Sequence, residues 1–294
     1  MPQRYEAACA LLPRRLREAA LAVPEKEKVE ELRLRQGGRL TLTLPEGEVP
    51  VPGTRVTGED LEAVLDIATG SSRYTASQSL RQGYLTAEGG FRIGVCGTAV
   101  LEGGEVALYR DLSSLNIRIP REQIGLADRV LPGLLAEGRL ESTLVISPPG
   151  GGKTTLLRDL VRALSDEKNL RVSLVDERGE LAAVHRGVPQ LQVGRHTDVL
   201  DACPKAQAIP TLLRAMNPQV IAVDEITAEA DLRAAVQAAG CGAGLLATIH
   251  ASGVEELDQR PLYRQLLSEG VFRLAVCIRR GGTGRTYEVE ALPC

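Results

Sequence analysis

The chain has 294 residues, 44% of them apolar, and a formal net charge of −3. That length has room for two domains that each bury a core, and the composition excludes a disordered chain and any overall basic field that would advertise nucleic acid or an anionic membrane. Two Phe, six Tyr and no Trp leave little material for a groove that stacks successive bases.

The N-terminus lacks a charged-then-apolar leader, and no apolar run is long enough to cross a bilayer. The expected location is therefore cytoplasmic, with membranes reached through partners. Arg14 to Val23 predicts an amphipathic helix that starts after Pro13 and stops before Pro24. Leu32 and Leu34, then Gly37-Gly38, then Leu40, Leu42 and Leu44 alternate around a turn as a hairpin does. Thr57 and Asp60 form a capping-box pattern ahead of the stripe Leu61, Val64, Leu65 and Ala68, and Gly70 closes that helix. From Ser77 to Pro120 a short helix ending at Gly83 gives way to strands punctuated by Gly89-Gly90 and Gly103-Gly104. Arg92, Arg110 and Arg118 fall on or at the ends of these strands. Each is an ordinary solvated sheet residue or, more sharply, an arginine that reaches the nucleotide of a neighbouring subunit. Gln123 to Arg139 is predicted to be helical again. The expected domains are residues 1–120, a small α+β unit, and residues 121–294.

The organising stretch of the second half is Thr143 to Leu164. An apolar strand (Leu144, Val145, Ile146) runs into Ser147-Pro148-Pro149-Gly150-Gly151-Gly152-Lys153-Thr154-Thr155 and then a helix with Leu156, Leu157, Leu160, Val161 and Leu164 on one face. This is a P-loop with Ser147 in place of its first glycine. A glycine-rich loop ending in a helix N-terminus presents unpaired N–H groups and the positive end of the helix dipole to phosphate. Lys153 is expected to reach the β- and γ-phosphates of ATP and Thr154 to place its hydroxyl on Mg²⁺.

Four features follow in order. Arg171 to Val175 is a strand ending in Asp176-Glu177-Arg178-Gly179-Glu180, where Glu177 is a candidate for orienting or activating a water. Val220 to Val223 is an apolar strand delivering Asp224 and Glu225, the Walker B pattern. Asp224 is a candidate Mg²⁺ ligand, and Glu225 a candidate base or second metal ligand. Gly244 to Ile249 is a strand ending at His250, with Thr248 on the same side, a candidate sensor of the γ-phosphate. Phe272 to Ile278 and Tyr287 to Val289 flank a turn at Gly281 to Gly284 as a terminal hairpin. Helices are predicted at Gln207–Met216, Ala228–Ala239 and Val254–Ser268. The fold class is α/β, a RecA-like P-loop ATPase core with a smaller N-terminal α+β domain, and the strand at Arg171 to Val175 is expected between the P-loop and Walker B strands, unlike a simple P-loop kinase. Cys9, Cys96, Cys203, Cys241, Cys277 and Cys294 show no C-x-x-C spacing and read as reduced thiols.

With these residues in hand, the chain resembles the stage III sporulation protein AA family, ATPases related to the type II and type IV secretion ATPases. The segments that carry the resemblance are YTASQSLRQGYLTAEGGFRIGVCGTAV, SPPGGGKTTLLRDL, SLVDERGE, LLRAMNPQVIAVDEI and ATIHASG, spread over nearly the whole chain. The resemblance implies that Asp176 to Glu180 form an acidic box and that His250 lies in a histidine box. It puts Glu177 ahead of Glu225 as base, with Glu180 still open. It further implies a ring homo-oligomer, a hexamer, with nucleotide clamped between the two domains and arginine contacts from the N-terminal one. The implied role is work on membrane-embedded channel or secretion-like proteins during endospore formation. The departures are Ser147 and the aspartate, rather than glycine, before Glu225. Two other classes stay open, a nucleic-acid motor or loader and a nucleotide-gated scaffold that barely hydrolyses ATP. A small-molecule kinase lacks any visible acceptor site.

Overall fold

The computed structural model describes residues 2–24, 26–70, 77–281 and 284–293. Tyr74 to Ala76, at the start of the first resembling segment, lie outside the described residues, as do Gly282, Thr283 and Cys294. Two compact units are present: the chain up to Arg121 together with Val184–Gln190, and Glu122–Ala183 together with Leu191 onward.

The first unit begins with α1 (Pro2–Ala10) and α2 (Arg14–Leu21), followed by β1 (Glu31–Arg35), β2 (Thr41–Leu44) and β3 (Gly47–Pro50). Then come α3 (Gly58–Thr69), α4 (Ser77–Arg81), β4 (Tyr84–Ala87), β5 (Phe91–Glu102) and β6 (Glu105–Arg118). The strands make one six-stranded sheet in the order β3-β2-β1-β6-β5-β4, antiparallel at every pairing. Leucine alternation sets the register: Leu32 lies opposite Leu42 on one side and Ile117 on the other, all buried. The β5–β6 pairing slips between Cys96 and Thr98. A Cβ at Gly97 would stand 2.7 Å from the Arg110 carbonyl oxygen, so only glycine passes there. The Thr57 side chain accepts from Asp60 N, and Thr57 N donates to Asp60 Oδ2 at 2.9 Å. Arg15 donates to the same oxygen at 2.8 Å, which ties α2 to the start of α3. Val184–Gln190 packs within this unit. His185 Nδ1 meets the Thr86 carbonyl at 3.2 Å, and Gly89 N donates to the Gln190 side chain at 2.7 Å.

The second unit opens with two 3-10 turns, Ala127–Arg129 and Leu131–Leu134, and a two-strand ribbon of β7 (Leu135–Ala136) and β8 (Arg139–Leu140). This corrects the helix expected from Gln123 to Arg139. Pro132 and Gly133 interrupt the periodic pattern, and Glu137 and Gly138 both take positive φ in the ribbon's turn. The elements that follow are β9 (Thr143–Ile146), α5 (Lys153–Asp166), β10 (Val172–Asp176), β11 (Thr197–Asp201), α6 (Lys205–Met216) and β12 (Val220–Glu225). The chain ends with α7 (Glu229–Gly240), β13 (Gly244–Ile249), α8 (Pro261–Ser268), β14 (Leu274–Gly281) and β15 (Gly284–Ala291). They build a seven-stranded sheet ordered β11-β10-β12-β13-β9-β14-β15, parallel except for β15.

This is the α/β P-loop architecture, but the strand between the P-loop strand and the Walker B strand is β13, not β10. The strand ending in Asp176 lies on the far side of β12. Sequence order does not give spatial order when crossover helices can carry a strand to either side. The helix expected over Val254–Ser268 is also divided. A 3-10 turn covers Val254–Gln259, and Pro261 forces Arg260 into extended backbone before α8 starts.

Removing the Thr57 cap tests the first unit's framework. Thr57→Ala is expected to lower its stability by about 1 kcal/mol, read as an earlier urea midpoint with an unchanged slope.

Candidate functional site

All the second unit's parallel strands end on the same edge of the sheet, and the loops that leave them form a cavity of about 370 Å³. Gly150, Gly152, Lys153, Thr154 and Thr155 line one wall. The facing wall carries Glu180, Asp224, Glu225, Thr248 and His250, with Arg178 and Arg285 at the sides.

The loop owes its shape to its glycines and to Ser147. Gly150 and Gly152 have φ of +69° and +103°, in the left-handed region. Ser147 is buried beneath the loop, and a Cβ on Gly151 would stand 2.1 Å from its hydroxyl oxygen. The serine in the first glycine position is thus accommodated by the missing side chain at Gly151. Pro148 directs its carbonyl inward, towards the lysine, while Pro149 is exposed.

Lys153 is 6% exposed. Its ammonium donates to the Ser147 carbonyl at 2.7 Å and the Pro148 carbonyl at 3.3 Å, and it meets His250 Nδ1 at 2.6 Å. An ammonium can only donate, so Nδ1 is unprotonated. The ring proton then sits on Nε2, which faces Glu225 Oε2 at 3.1 Å. Lys153, hydrogen-bonded to His250, and Glu225, 3.1 Å from the other ring nitrogen, form a continuous run of polar contacts. Burial lowers the lysine's pKa, and the charges of Glu225 and Asp224 oppose that shift.

Consecutive strand residues ordinarily point to opposite faces, yet Asp224 and Glu225 line one cavity. The register of β12 against β13 slips between Val223 and Glu225, and this bulge turns both carboxylates the same way. Thr248 donates to Asp224 Oδ1 at 3.0 Å. The Asp224 carboxyl is pushed up chiefly by burial, against the pull of that hydrogen bond, with Glu180 and Asp176 adding to the rise. A half-buried carboxylate among acids, with the Thr154 hydroxyl on the same cavity, is an oxygen-only donor set that suits a hard divalent cation. Mg²⁺ binds through one or two carboxylates plus substrate oxygens rather than a protein cage. Among the described residues no group of three or more His, Cys, Asp or Glu forms such a cage.

The acidic stretch after β10 divides its labour. Asp176, 1% exposed, accepts from Glu180 N and Leu181 N on one oxygen and from Ala182 N and Ala183 N on the other, at 2.7–3.2 Å. It is a structural clamp on the loop. Glu177 is bonded to the ammonium of Lys205, at the start of α6, and lines a small hollow beside Asp224 and Glu225 rather than the cavity that holds Lys153. Arg92, Arg110 and Arg118 belong to the first unit's sheet. There Arg92 stacks 3.9 Å over the Tyr84 ring, Arg110 pairs with Asp111 at 3.5 Å and Arg118 with Glu31 at 3.1 Å.

Sequence reasoning passed over Lys205, Arg280 and Arg285. A lysine at a helix N-terminus opposes the helix dipole, which is a signal that something acidic holds it there. Arg280 donates to the Gly150 carbonyl at 2.9 Å, and the guanidinium of Arg285 lies just over 3 Å from where a Cβ on Gly152 would stand. Two arginines bracketing a glycine turn were the available sign.

Comparison with known proteins agrees with this architecture. A family model described as "Sporulation stage III, protein AA" matches residues 3–289. The stage III sporulation protein AA of Bacillus subtilis (strain 168) is 37% identical over 286 residues, which are 95% of this chain and 92% of that protein. Among solved structures, the pilus retraction motor PilT with bound ADP is similar at a TM-score of 0.62 and 19% identity, covering 90% of this chain and 79% of that one. The Legionella pneumophila ATPase DotB is similar at a TM-score of 0.58 and 18% identity, covering 90% and 76%. At these identities the structural likeness speaks to the fold.

Two measurements test the clamp and its surroundings. Asp176→Asn strips charge and acceptor capacity from four backbone N–H groups, three of them in buried bonds, and is expected to destabilise the second unit by about 2–4 kcal/mol, seen in thermal or denaturant unfolding. Asp201 lies opposite Asp176 in the β10–β11 register, and its carboxyl is pushed from 3.8 up to about 6, by burial first and the Asp176 charge second. The raised folded value means that the stability linked to this proton is full below the unfolded pKa and lost as pH rises through about 6. Asp201→Asn is expected to flatten the stability profile across that window and to raise the midpoint at neutral pH.

Proposed function

We propose, from the premise that this chain belongs to the sporulation stage III protein AA family, that it is a Mg²⁺-dependent ATP hydrolase that works on a membrane-embedded, secretion-like complex during endospore formation. The observation that carries the reading is the chain of contacts from Lys153 through His250 to Glu225, lining one cavity with Thr154 and Asp224.

In this reading the N–H groups of the Gly150–Thr155 loop receive the β-phosphate. Lys153 exchanges its carbonyl partners for phosphate oxygens. It then releases His250, which senses the γ-phosphate through the partner it has lost. Thr154 and Asp224 would hold the cation, with Glu225 beside them. When bound, the ion would supply positive charge against the negative charge of the phosphates. Glu177 is the candidate that activates water, with Glu225 and Glu180 as rivals. Arg92, Arg110 and Arg118 are candidates for contacts in trans within a ring, taken as a hexamer. No helix of the described residues is long and apolar enough to cross a membrane, which fits attachment through partners at its cytoplasmic side. Acidic net charge and few aromatics favour this reading over a nucleic-acid motor.

One observation favours a second reading, the nucleotide-gated scaffold with little turnover. The bond from Lys205 holds Glu177 away from the cavity lining.

Mg²⁺-dependent ATP hydrolysis measured over a range of protein concentrations separates the two. A working assembly gives turnover per subunit that rises with concentration, falls at least about 100-fold in Lys153→Ala, and falls about 100-fold or more in Glu177→Gln if that carboxylate is the base. ATP binding without turnover, unaffected by Glu177→Gln, supports the scaffold.

A further inference from the structure

A second cavity, of about 550 Å³, lies against the β14–β15 hairpin. Gln123, Leu126, Arg129, Arg280, Arg285 and Tyr287 line it, all within the second unit. Arg285 also lines the cavity around Lys153, so the two hollows share one wall. The geometry points to this second cavity as the seat of the nucleobase and ribose, with Arg280 and Arg285 as cis contacts to the α- and β-phosphates. The inference rests on the ATPase reading and adds the part of the ligand that the P-loop does not explain.

Sheet order gives the direction. Asp224 and Glu225 stand on β12, two strands to one side of β9, and the β14–β15 hairpin stands on the other side. A triphosphate whose terminal group meets the carboxylate side and whose middle lies on Lys153 must send its nucleoside toward the hairpin. There the chemistry changes from acidic to cationic and aromatic. Arg280 and Arg285 both point at the Gly150 carbonyl, at 2.9 and 3.5 Å, which parks two guanidinium groups along the path between the hollows. Guanidinium is the preferred donor for phosphate oxygens because its fork matches their spacing. Beyond them, Tyr287 offers a ring face half-buried in the wall, with the Arg129 guanidinium 5.7 Å from its centroid. A flat, uncharged heterocycle suits the tyrosine face, and the Gln123 amide can both donate to and accept from its edge. The volume falls within the range of small-molecule pockets, about 300–1,000 Å³.

The test compares the binding of ATP with that of inorganic tripolyphosphate, each with Mg²⁺, to the full chain by calorimetry. Tripolyphosphate fills the P-loop but has no base. Tyr287→Ala is expected to weaken ATP about 10- to 100-fold and to leave tripolyphosphate unchanged, while Tyr287→Phe, which keeps the ring, binds ATP as the unaltered chain does. Gln123→Ala, an exposed side chain whose loss leaves the core untouched, is expected to weaken ATP alone by a smaller factor. Arg285→Ala weakens both ligands. If neither Tyr287→Ala nor Gln123→Ala distinguishes ATP from tripolyphosphate, the base lies elsewhere and the assignment falls while the ATPase reading stands. If the unaltered chain binds neither ligand, both fall.

Discussion

A lysine side chain with 6% exposure is the constraint on which the second unit's upper edge depends. Taking an ammonium out of water costs several kcal/mol unless acceptors replace the solvent. Here Ser147 and Pro148 offer carbonyls, His250 offers a ring nitrogen, and Asp224 and Glu225 supply opposite charge nearby. The loop must therefore curl back over its own lysine. That curl needs positive φ at Gly150 and Gly152 and no side chain at Gly151. The acceptors are also replaceable, because phosphate oxygens satisfy an ammonium as well as carbonyls do. The packing that stabilises the loop is the kind that a polyanion can take over.

The same requirement explains why the carboxylates converge. A regular β12 would turn either Asp224 or Glu225 to the opposite face of the sheet. The slip against β13 brings both to Lys153, and Thr248 pins Asp224 in place. Asp176, at the end of β10, looks equally acidic in sequence but spends both oxygens on four backbone N–H groups. Chemistry and architecture are thus divided among neighbouring acids by what each one's lone pairs already hold.

Much of this was legible in the residues. Buried parallel strands read as continuous apolar runs, so Leu144 to Ile146 and Val220 to Val223 announced themselves. Thr57, Asp60 and Gly70 marked both ends of α3 through chemistry that is local to the sequence. What escaped depended on distant partners or on weak periodicity. β11, Thr197–Asp201, has two aspartates and only half-buried residues, so it carries no strand signature of its own. α1 hides Tyr5, Ala8 and Cys9 on a single face in a stretch too short and mixed to stand out. The position of β13 beside β9 follows from crossover packing, which no local pattern encodes. Lys205 reads as a surface residue until Glu177 is seen beside it.

The clamp on Asp176 releases the chain at Ala183 into seven residues, Val184–Gln190, that fold with the first unit before the chain returns. The polypeptide therefore passes from one unit to the other after Arg121, after Ala183 and after Gln190. A gene cut or recombined at the obvious boundary would give a first half missing the turn that supplies Gln190 to Gly89, and a second half trailing a loop with nothing to fold upon. The two halves are bound to a common inheritance: neither can be exchanged for a relative's counterpart as a free-standing cassette unless this short excursion is exchanged with it.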